Sequence, residues 1–202
     1  MFESAELGHE ISKEVYEAEV PKLREALLDA QYDIKEAGDF PVLVIIAGIE
    51  TAGKSETVQT LNEWMDPRFI HTHGFLLPSG EEAERPPMYR FWRALPPKGS
   101  IGIFFGSWYS LPMVSRVMGR TDDDGLRRSI AEIRHLERML HNEGVLVLKF
   151  WLHVTEREQK KRLRRLKKDP DTRWRVTKAH ELLATRYDET VAVAETVIRD
   201  TS

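Results

Sequence analysis

The chain has 202 residues, of which 41% are hydrophobic and 31% charged, and this balance favours one globular domain with a sizeable core. Its formal net charge of −3 argues against an indiscriminate binder of nucleic acid or anionic membranes, and the lack of cysteine excludes disulfides and thiolate chemistry. The sequence contains no apolar run of membrane-spanning length and its N-terminus lacks the form of a secretion signal, so we expect a soluble, cytoplasmic protein.

Apolar periodicity divides the chain into alternating helices and strands. In chain order, the patterns predict a helix over residues 11–37, a strand over 41–47, a helix over 56–65, a strand over 69–75, a short helix over 90–95, a strand over 101–105, a helix over 122–142, a strand over 145–152, and helices over 155–168 and 178–198. This alternation predicts an α/β fold with a parallel sheet covered by helices on both faces and ligands at the carboxyl ends of the strands. We expect most large aromatic side chains to pack in the core, namely Trp64, Trp92, Phe150 and Trp151.

The segment GIETAGKS, residues 48–55, is the strongest functional signal and is called the phosphate loop below. It has the Gly-x4-Gly-Lys-Ser/Thr spacing and lies between a predicted strand and a predicted helix, as a phosphate-binding loop requires. Gly48 and Gly53 allow backbone conformations that let amide groups surround phosphate oxygens, and Lys54 supplies a cation. Ser55 and Glu50 place a hydroxyl and a carboxylate where they could hold Mg²⁺. The alternative is an ordinary glycine turn with a solvated lysine and glutamate.

Two groups of cations point toward an anionic ligand. The predicted helix 155–168 carries seven basic residues within nine positions, a density that repels itself unless an anion or solvent compensates it. A polyanion, a triphosphate, nucleic acid or solvent alone could provide that compensation. The second group could brace phosphates or lie on the surface, and consists of Arg85, Arg90, Arg93 and Arg116.

Taken together, these stretches resemble the polyphosphate kinase 2 family, P-loop enzymes that move phosphate between inorganic polyphosphate and nucleotides. The phosphate loop is similar to the family's Gly-x-Asp-x-x-Gly-Lys loop, with Glu50 in place of aspartate, and the resemblance covers residues 16–202. Ser107-Trp108-Tyr109 matches the segment after the third strand, and residues 149–174 look like the fourth strand and a helical basic lid. The sequence is most similar to the leading domain of tandem two-domain members, which are polyphosphate:AMP phosphotransferases.

The resemblance implies a P-loop kinase-like fold, Mg²⁺ as cofactor, and inorganic polyphosphate and AMP as partners, with no specific nucleic acid. It implies catalytic roles for Glu50, Lys54 and Arg116, with Glu50 and Ser55 holding the metal. The phosphate- and cofactor-binding set that it implies is Gly48, Gly53, Lys54, Ser55, Glu56, Arg85, Arg93, Lys149, Arg164 and Arg165.

The sequence departs from this family at two places. Phe105 and Gly106 stand where active domains have Asp-Arg, and Leu111 stands where they have another arginine. Losing a carboxylate and two cations removes charge stabilisation on which phosphoryl transfer depends. The chain also stops where family members continue into a final strand. We therefore expect residues 1–202 to be one domain of a longer tandem protein, with a sheet edge through which the isolated domain could form homo-oligomers.

Three functions remain open from the sequence. The first is an active magnesium-dependent polyphosphate:AMP phosphotransferase. The second is a non-catalytic domain that binds polyphosphate or acts as a scaffold for an active partner domain, which Phe105 and Gly106 favour. The third is a small-molecule or nucleoside kinase that uses ATP as the donor.

Overall fold

The computed structural model describes residues 1–8 and 10–202, and within them it contains a four-stranded parallel sheet. The strands are β1 (Val42–Gly48), β2 (Ile70–Gly74), β3 (Ile101–Phe105) and β4 (Leu146–Leu152). Their order across the sheet is β2-β3-β1-β4, and all three neighbouring pairs are parallel. The α/β fold predicted from the sequence is therefore confirmed.

The helices connect the strands and flank the sheet. They are α1 (Lys13–Ala37), α2 (Lys54–Trp64), α3 (Glu81–Glu84), α4 (Tyr89–Trp92), α5 (Ser110–Val117), α6 (Asp123–Asn142), α7 (Glu156–Lys168), α8 (Lys178–Thr185) and α9 (Tyr187–Thr201). Short 3₁₀ turns cover Glu3–Glu6, Pro67–Phe69 and Arg173–Arg175. Among the helices of the described ranges, none is both long and apolar enough to cross a bilayer.

Polar side chains cap the N-termini of the two longest helices, α1 and α6. The side chain of Ser12 accepts a hydrogen bond from the Val15 amide at the start of α1, and that of Asp122 accepts one from the Gly125 amide at the start of α6. Such caps satisfy amide groups that have no partner within the helix. The predicted apolar stripe of α6 is buried, and it consists of Leu126, Ile130, Ile133, Leu136 and Leu140.

The core has two parts, one on each face of the sheet. On one face Leu43, Ile45 and Phe104 pack with the α6 stripe and with α9. On the other face the buried side chains of Val42, Ile46 and Ile103 pack with residues of α2. Alternation of side chains along each strand sends neighbouring residues to opposite faces, so a continuous apolar strand such as β1 is buried on both sides.

The structure differs from the predicted elements at several points. The predicted helix 178–198 is two helices, because the backbone turns at Arg186, whose guanidinium donates to the Val117 carbonyl. Helix α5 has no counterpart among the predicted elements, and the short helix near residue 90 ends at Trp92. The prediction that Trp92 and Phe150 are buried is wrong, since they are 43% and 51% exposed. Phe150 lies on β4 at the edge of the sheet, where Leu146 and Leu148 of the same strand are also exposed.

Candidate functional site

The phosphate loop leaves the carboxyl end of β1 and enters α2. Gly48 has φ 148°, and a Cβ at this position would lie 2.3 Å from the Leu152 carbonyl oxygen on β4, so only glycine fits there. Gly53 has φ 101° and directly precedes α2, and Thr51 also has a positive φ of 62°. These conformations curl the backbone at the point where a helix begins.

Most amide groups of the phosphate loop have no acceptor within the described part of the chain. The Ile49 amide bonds to the Leu152 carbonyl at 3.1 Å and the Ala52 amide to the Ile49 carbonyl at 3.3 Å. Within the described part of the chain, no acceptor pairs with the other amides from Glu50 to Ser55. Unpaired amides at a helix N-terminus are a binding site for phosphate.

The Lys54 side chain folds back onto the start of the phosphate loop. Its ammonium donates to the carbonyls of Gly48 at 2.8 Å and Ile49 at 3.0 Å, and is 3.5 Å from Glu50 Oε1. The side chain is 16% exposed, so this cation is held close to the loop rather than in bulk solvent. A phosphate bound by the loop would provide a stronger, charged acceptor for the same group.

Glu50 and Ser55 are the oxygen donors of the phosphate loop. The Glu50 carboxylate lies between two basic groups, Lys54 and His180, whose Nε2 atom is 3.7 Å from Glu50 Oε2. In the described ranges, no group of three or more His, Cys, Asp or Glu side chains could hold a metal ion by itself. Mg²⁺ in phosphoryl-transfer sites takes one or two protein oxygens together with substrate phosphates and water. A carboxylate and a hydroxyl therefore fit Mg²⁺ that arrives with a phosphate chain.

Helix α7 is the basic helix predicted as a lid, and it contacts the loop backbone directly. The Gln159 side-chain amide donates to the Glu50 carbonyl at 3.2 Å, and the Arg162 guanidinium donates to the Thr51 carbonyl at 3.1 Å. Neither contact is predictable from the sequence, because both acceptors are backbone carbonyls. Both bonds join α7 to the loop across more than 100 positions of sequence.

The basic surface of α7 is partly compensated by acidic neighbours. Lys160, Lys161 and Arg162 pair with glutamates of the same helix, and Lys167 pairs with Glu181 of α8. In the described chain, four exposed basic side chains of α7 have no acidic partner: Arg157, Arg164, Arg165 and Lys168. This set includes the two arginines that the resemblance implies for binding a polyanion.

Four other predicted site residues make their contacts outside the phosphate loop. Arg85 pairs with Glu81, the Arg93 guanidinium is over the Tyr89 ring, and Arg116 bonds to Asp123 at 2.6 Å. The Lys149 ammonium bonds to Glu137 and to the Thr201 carbonyl at the end of α9, which ties β4 to α6 and α9. These four do not line either cavity beside the loop. Glu56 is exposed and is 3.8 Å from Arg175.

Two cavities adjoin the phosphate loop. The first, the loop cavity, has a volume of about 440 Å³ and lies between the loop and helices α5, α8 and α9. Glu50 and Lys54 are at its polar end, and Phe105 and Gly106 also line it. The second, the outer cavity, has a volume of about 510 Å³ and lies between α5 and the segment around α3 and α4.

Arg90 is the arginine that the fold brings to the outer cavity. Its side chain is 10% exposed, donates to the Leu76 carbonyl at 2.7 Å and pairs with Glu82 at 3.2 Å. Arg90 is one of the four arginines of the second cationic group, and the sequence does not distinguish it from the others, because the helical spacing there does not show which side chain points inward. Its neighbours Arg85 and Arg93 are exposed.

The sequence profile of the Polyphosphate kinase 2 family matches residues 10–202. A polyphosphate:AMP phosphotransferase of Pseudomonas aeruginosa (strain PAO1) is 51% identical over all of this chain and 41% of its own length, and one of Pseudomonas syringae pv. tomato is 48% identical with the same coverage. The crystal structure of Polyphosphate Kinase 2 from Arthrobacter aurescens TC1 gives a TM-score of 0.89 at 26% identity, covering 97% of this chain and 71% of that one. The chain thus spans about two fifths of the length of the two Pseudomonas relatives. It belongs to the polyphosphate kinase 2 family.

Proposed function

We propose that this chain is the polyphosphate-binding domain of a polyphosphate:AMP phosphotransferase, and that the parent protein transfers a terminal phosphoryl group from polyphosphate to AMP, giving ADP in the cytoplasm. Two observations support the proposal. The phosphate loop presents unpaired amides at the start of α2, and relatives that match the whole chain bear the name of this activity. Because the chain covers 41% of those relatives, we expect a second domain of the same type to complete the protein.

The residues of the phosphate loop would hold the phosphate chain. Its amides and the N-terminus of α2 would bind phosphate oxygens, and Lys54 would exchange its bonds to the Gly48 and Ile49 carbonyls for bonds to phosphate. Glu50 and Ser55 would hold Mg²⁺, which when bound neutralises charge on the phosphates. The exposed cations Arg164 and Arg165 on α7 would attract the rest of the polyanion.

The proposal that this domain binds polyphosphate without catalysing phosphoryl transfer rests on Phe105 and Gly106. Both line the loop cavity beside Glu50 and Lys54, and neither can hold a metal ion or stabilise a transferring phosphoryl group. Removal of one group that stabilises developing charge typically lowers kcat by about 10²–10³. With a carboxylate and cations both replaced, we expect the isolated chain to bind polyphosphate and to turn over slowly or not at all.

The experiment is a paired assay of binding and turnover. ADP formation from AMP, Mg²⁺ and polyphosphate is measured for the chain and for Lys54→Ala, and polyphosphate binding is measured over a range of salt concentrations. Lys22→Ala is the matched control. It removes the same charge from α1, and the Lys22 side chain is 71% exposed.

We expect binding that weakens with salt and is reduced in Lys54→Ala but not in Lys22→Ala, with ADP formation far below that of a full-length relative. Rapid ADP formation that requires Lys54 would show that the domain is catalytic and would refute the proposal that it only binds polyphosphate. Absence of binding at low salt would refute the proposal altogether, and turnover with ATP in place of polyphosphate would favour the third hypothesis.

A further inference from the structure

Thr51, in the middle of the phosphate loop, has a backbone conformation that its side chain disfavours. Within residues 1–8 and 10–202 it is the only residue other than glycine with a positive φ, which is 62°. The left-handed region brings Cβ close to the following carbonyl oxygen, and a β-branched side chain makes this region still less favourable. Strain of this kind persists only where the surroundings fix the backbone, and it is concentrated at ligand-binding sites. The neighbours of Thr51 must therefore hold it.

The contribution of the loop itself is small. The Ala52 amide donates to the Ile49 carbonyl at 3.3 Å and closes a turn around Glu50 and Thr51. Turns that need a positive φ at their third residue normally have glycine there, so threonine weakens this turn. The Thr51 hydroxyl oxygen is buried, and in the part of the chain that the structure describes it has no hydrogen-bond partner. The side chain therefore does not stabilise its own backbone.

Two side chains of α7 hold the peptide groups on either side of the Thr51 Cα. Gln159 Nε2 donates to the Glu50 carbonyl, in the peptide group before Thr51, at 3.2 Å. Arg162 Nη1 donates to the Thr51 carbonyl, in the peptide group after it, at 3.1 Å. Because each peptide group is planar, a bond to each one restrains the φ and ψ angles between them. The two bonds together thus oppose relaxation of Thr51.

Helix α7 presents these two donors in a fixed arrangement. Gln159 is 2% exposed, and Arg162 Nε bonds to Glu158 Oε1, one turn earlier on the helix, at 3.0 Å. The Thr155 hydroxyl accepts from the Glu158 amide and caps the start of the helix. The arrangement needs no ligand, because every contact in it joins two parts of the chain.

We propose that Arg162 and Gln159 are positioning residues, which hold the empty phosphate loop in the backbone conformation that a phosphate chain binds. This inference deepens the proposed function and rests on it. Without the two bonds, Thr51 would relax toward negative φ, and restoring the left-handed conformation would reduce the binding free energy. Once a phosphate chain is bound, its contacts with the loop amides would keep the conformation, and α7 could then move away.

The first experiment needs no ligand and examines the Thr51 backbone by NMR in the whole chain. A positive φ brings the amide hydrogen close to the Hα of the same residue, which gives a strong nuclear Overhauser effect between them. We expect this effect in the unchanged chain, and a weaker one in the α7 double variant, Arg162→Met with Gln159→Met. Arg157→Met is the matched control, since Arg157 is an exposed arginine of the same helix. An undiminished effect in the double variant would overturn the inference, because the loop would then hold itself.

The second experiment measures polyphosphate binding in a double-mutant cycle of the α7 double variant and Thr51→Gly. Glycine adopts a positive φ without strain, so a loop with glycine at this position does not depend on α7. With threonine, the α7 double variant should bind about five- to thirtyfold more weakly than Arg157→Met, which corresponds to the cost of one left-handed residue. In the Thr51→Gly background this additional loss should disappear. If the double variant does not give the dispersed amide signals of a folded chain, Arg162→Met alone takes its place.

Two results of the binding experiment would overturn the inference. The first is a loss in the α7 double variant no larger than in Arg157→Met, which would show that Arg162 contributes its charge alone. The second is the same loss with threonine and with glycine in the loop. Either result leaves the proposed function standing, since that function is refuted by an unchanged chain that binds no polyphosphate. The NMR experiment tests the positioning role in that case as well, because it does not require binding.

Discussion

Replacing Gly106 with alanine measures how firmly the backbone is fixed where the family's Asp-Arg pair is missing. Gly106 has φ 72°, and a Cβ built there would lie 2.7 Å from the carbonyl oxygen of Phe75. That neighbour cannot move freely, because the Phe75 amide bonds to the Phe105 carbonyl at 2.9 Å. The substitution therefore meets two obstacles, the left-handed conformation and a backbone clash.

A substitution at Gly119 separates the free-energy cost of the left-handed conformation from that of the clash. It has φ 69°, and an added Cβ there would meet nothing within 4 Å. Gly119→Ala should cost only the left-handed conformation, about 1–2 kcal/mol. Gly106→Ala adds the strain of overpacking, about 1–3 kcal/mol, so its total should be about 2–5 kcal/mol.

The assay is urea denaturation of the two variants and the unchanged chain, followed by circular dichroism. Equal losses of unfolding free energy in Gly106→Ala and Gly119→Ala would refute the reasoning, since they would show that the Phe75 carbonyl yields without cost. An arginine at position 106 begins with the same Cβ and meets the same carbonyl. Phe105→Asp alone is therefore the variant by which a carboxylate can be returned to the loop cavity.

Three further predictions concern α7 and the start of α6. Replacing Arg164 and Arg165 together with alanine should weaken polyphosphate binding and reduce its salt dependence, because both cations are exposed; an unchanged salt slope in fluorescence anisotropy would contradict this. Hydrogen bonds from Arg162 and Lys161 hold the pKa of Glu158 below its ordinary value of 4.5, so its carboxylate stabilises the fold above that pH, and this contribution is lost as the pH falls through the lowered pKa. Glu158→Gln should flatten the acid limb of a plot of melting temperature against pH, and parallel curves would argue against the pairing. Asp122→Ala should cost about 1 kcal/mol through loss of the α6 cap, measured by urea denaturation, whereas Asp124→Ala on the exposed first turn should cost less.

Local sequence patterns predict much of the fold, and the predictions that were wrong have a physical cause. The strand over residues 101–105 and the buried stripe of α6 follow from runs and periodicities that a short window contains. The break between α8 and α9 does not, because it occurs at Arg186 without a glycine or proline to mark it. That residue's guanidinium bonds to the Val117 carbonyl, which is 69 positions away, so the turn coincides with a tertiary contact that no local pattern shows.

The candidate site, too, was predictable only where its residues are adjacent in sequence. The phosphate loop could be predicted because its glycines, lysine and hydroxyl are adjacent in sequence. The position of Lys149 could not, since it pairs in register with Ile45, whose side chain packs on the α6 face of the sheet, and Glu137 of α6 meets the ammonium there. The contact of Gln159 with the loop could not be predicted for the related reason that its partner, the Glu50 carbonyl, is a backbone atom and has no signature in the sequence.

Two hydrogen bonds tie α7, the lid helix of the proposed function, to the backbone of the phosphate loop. Gln159 and Arg162 hold consecutive carbonyls, those of Glu50 and Thr51, so α7 cannot swing outward as a rigid flap while both bonds persist. Under the proposed function, admission of a polyphosphate chain between α7 and the loop would break both bonds and free these two carbonyls. In hydrogen exchange, the amides of α7 and those at the start of α2 should then open together, with one common rate.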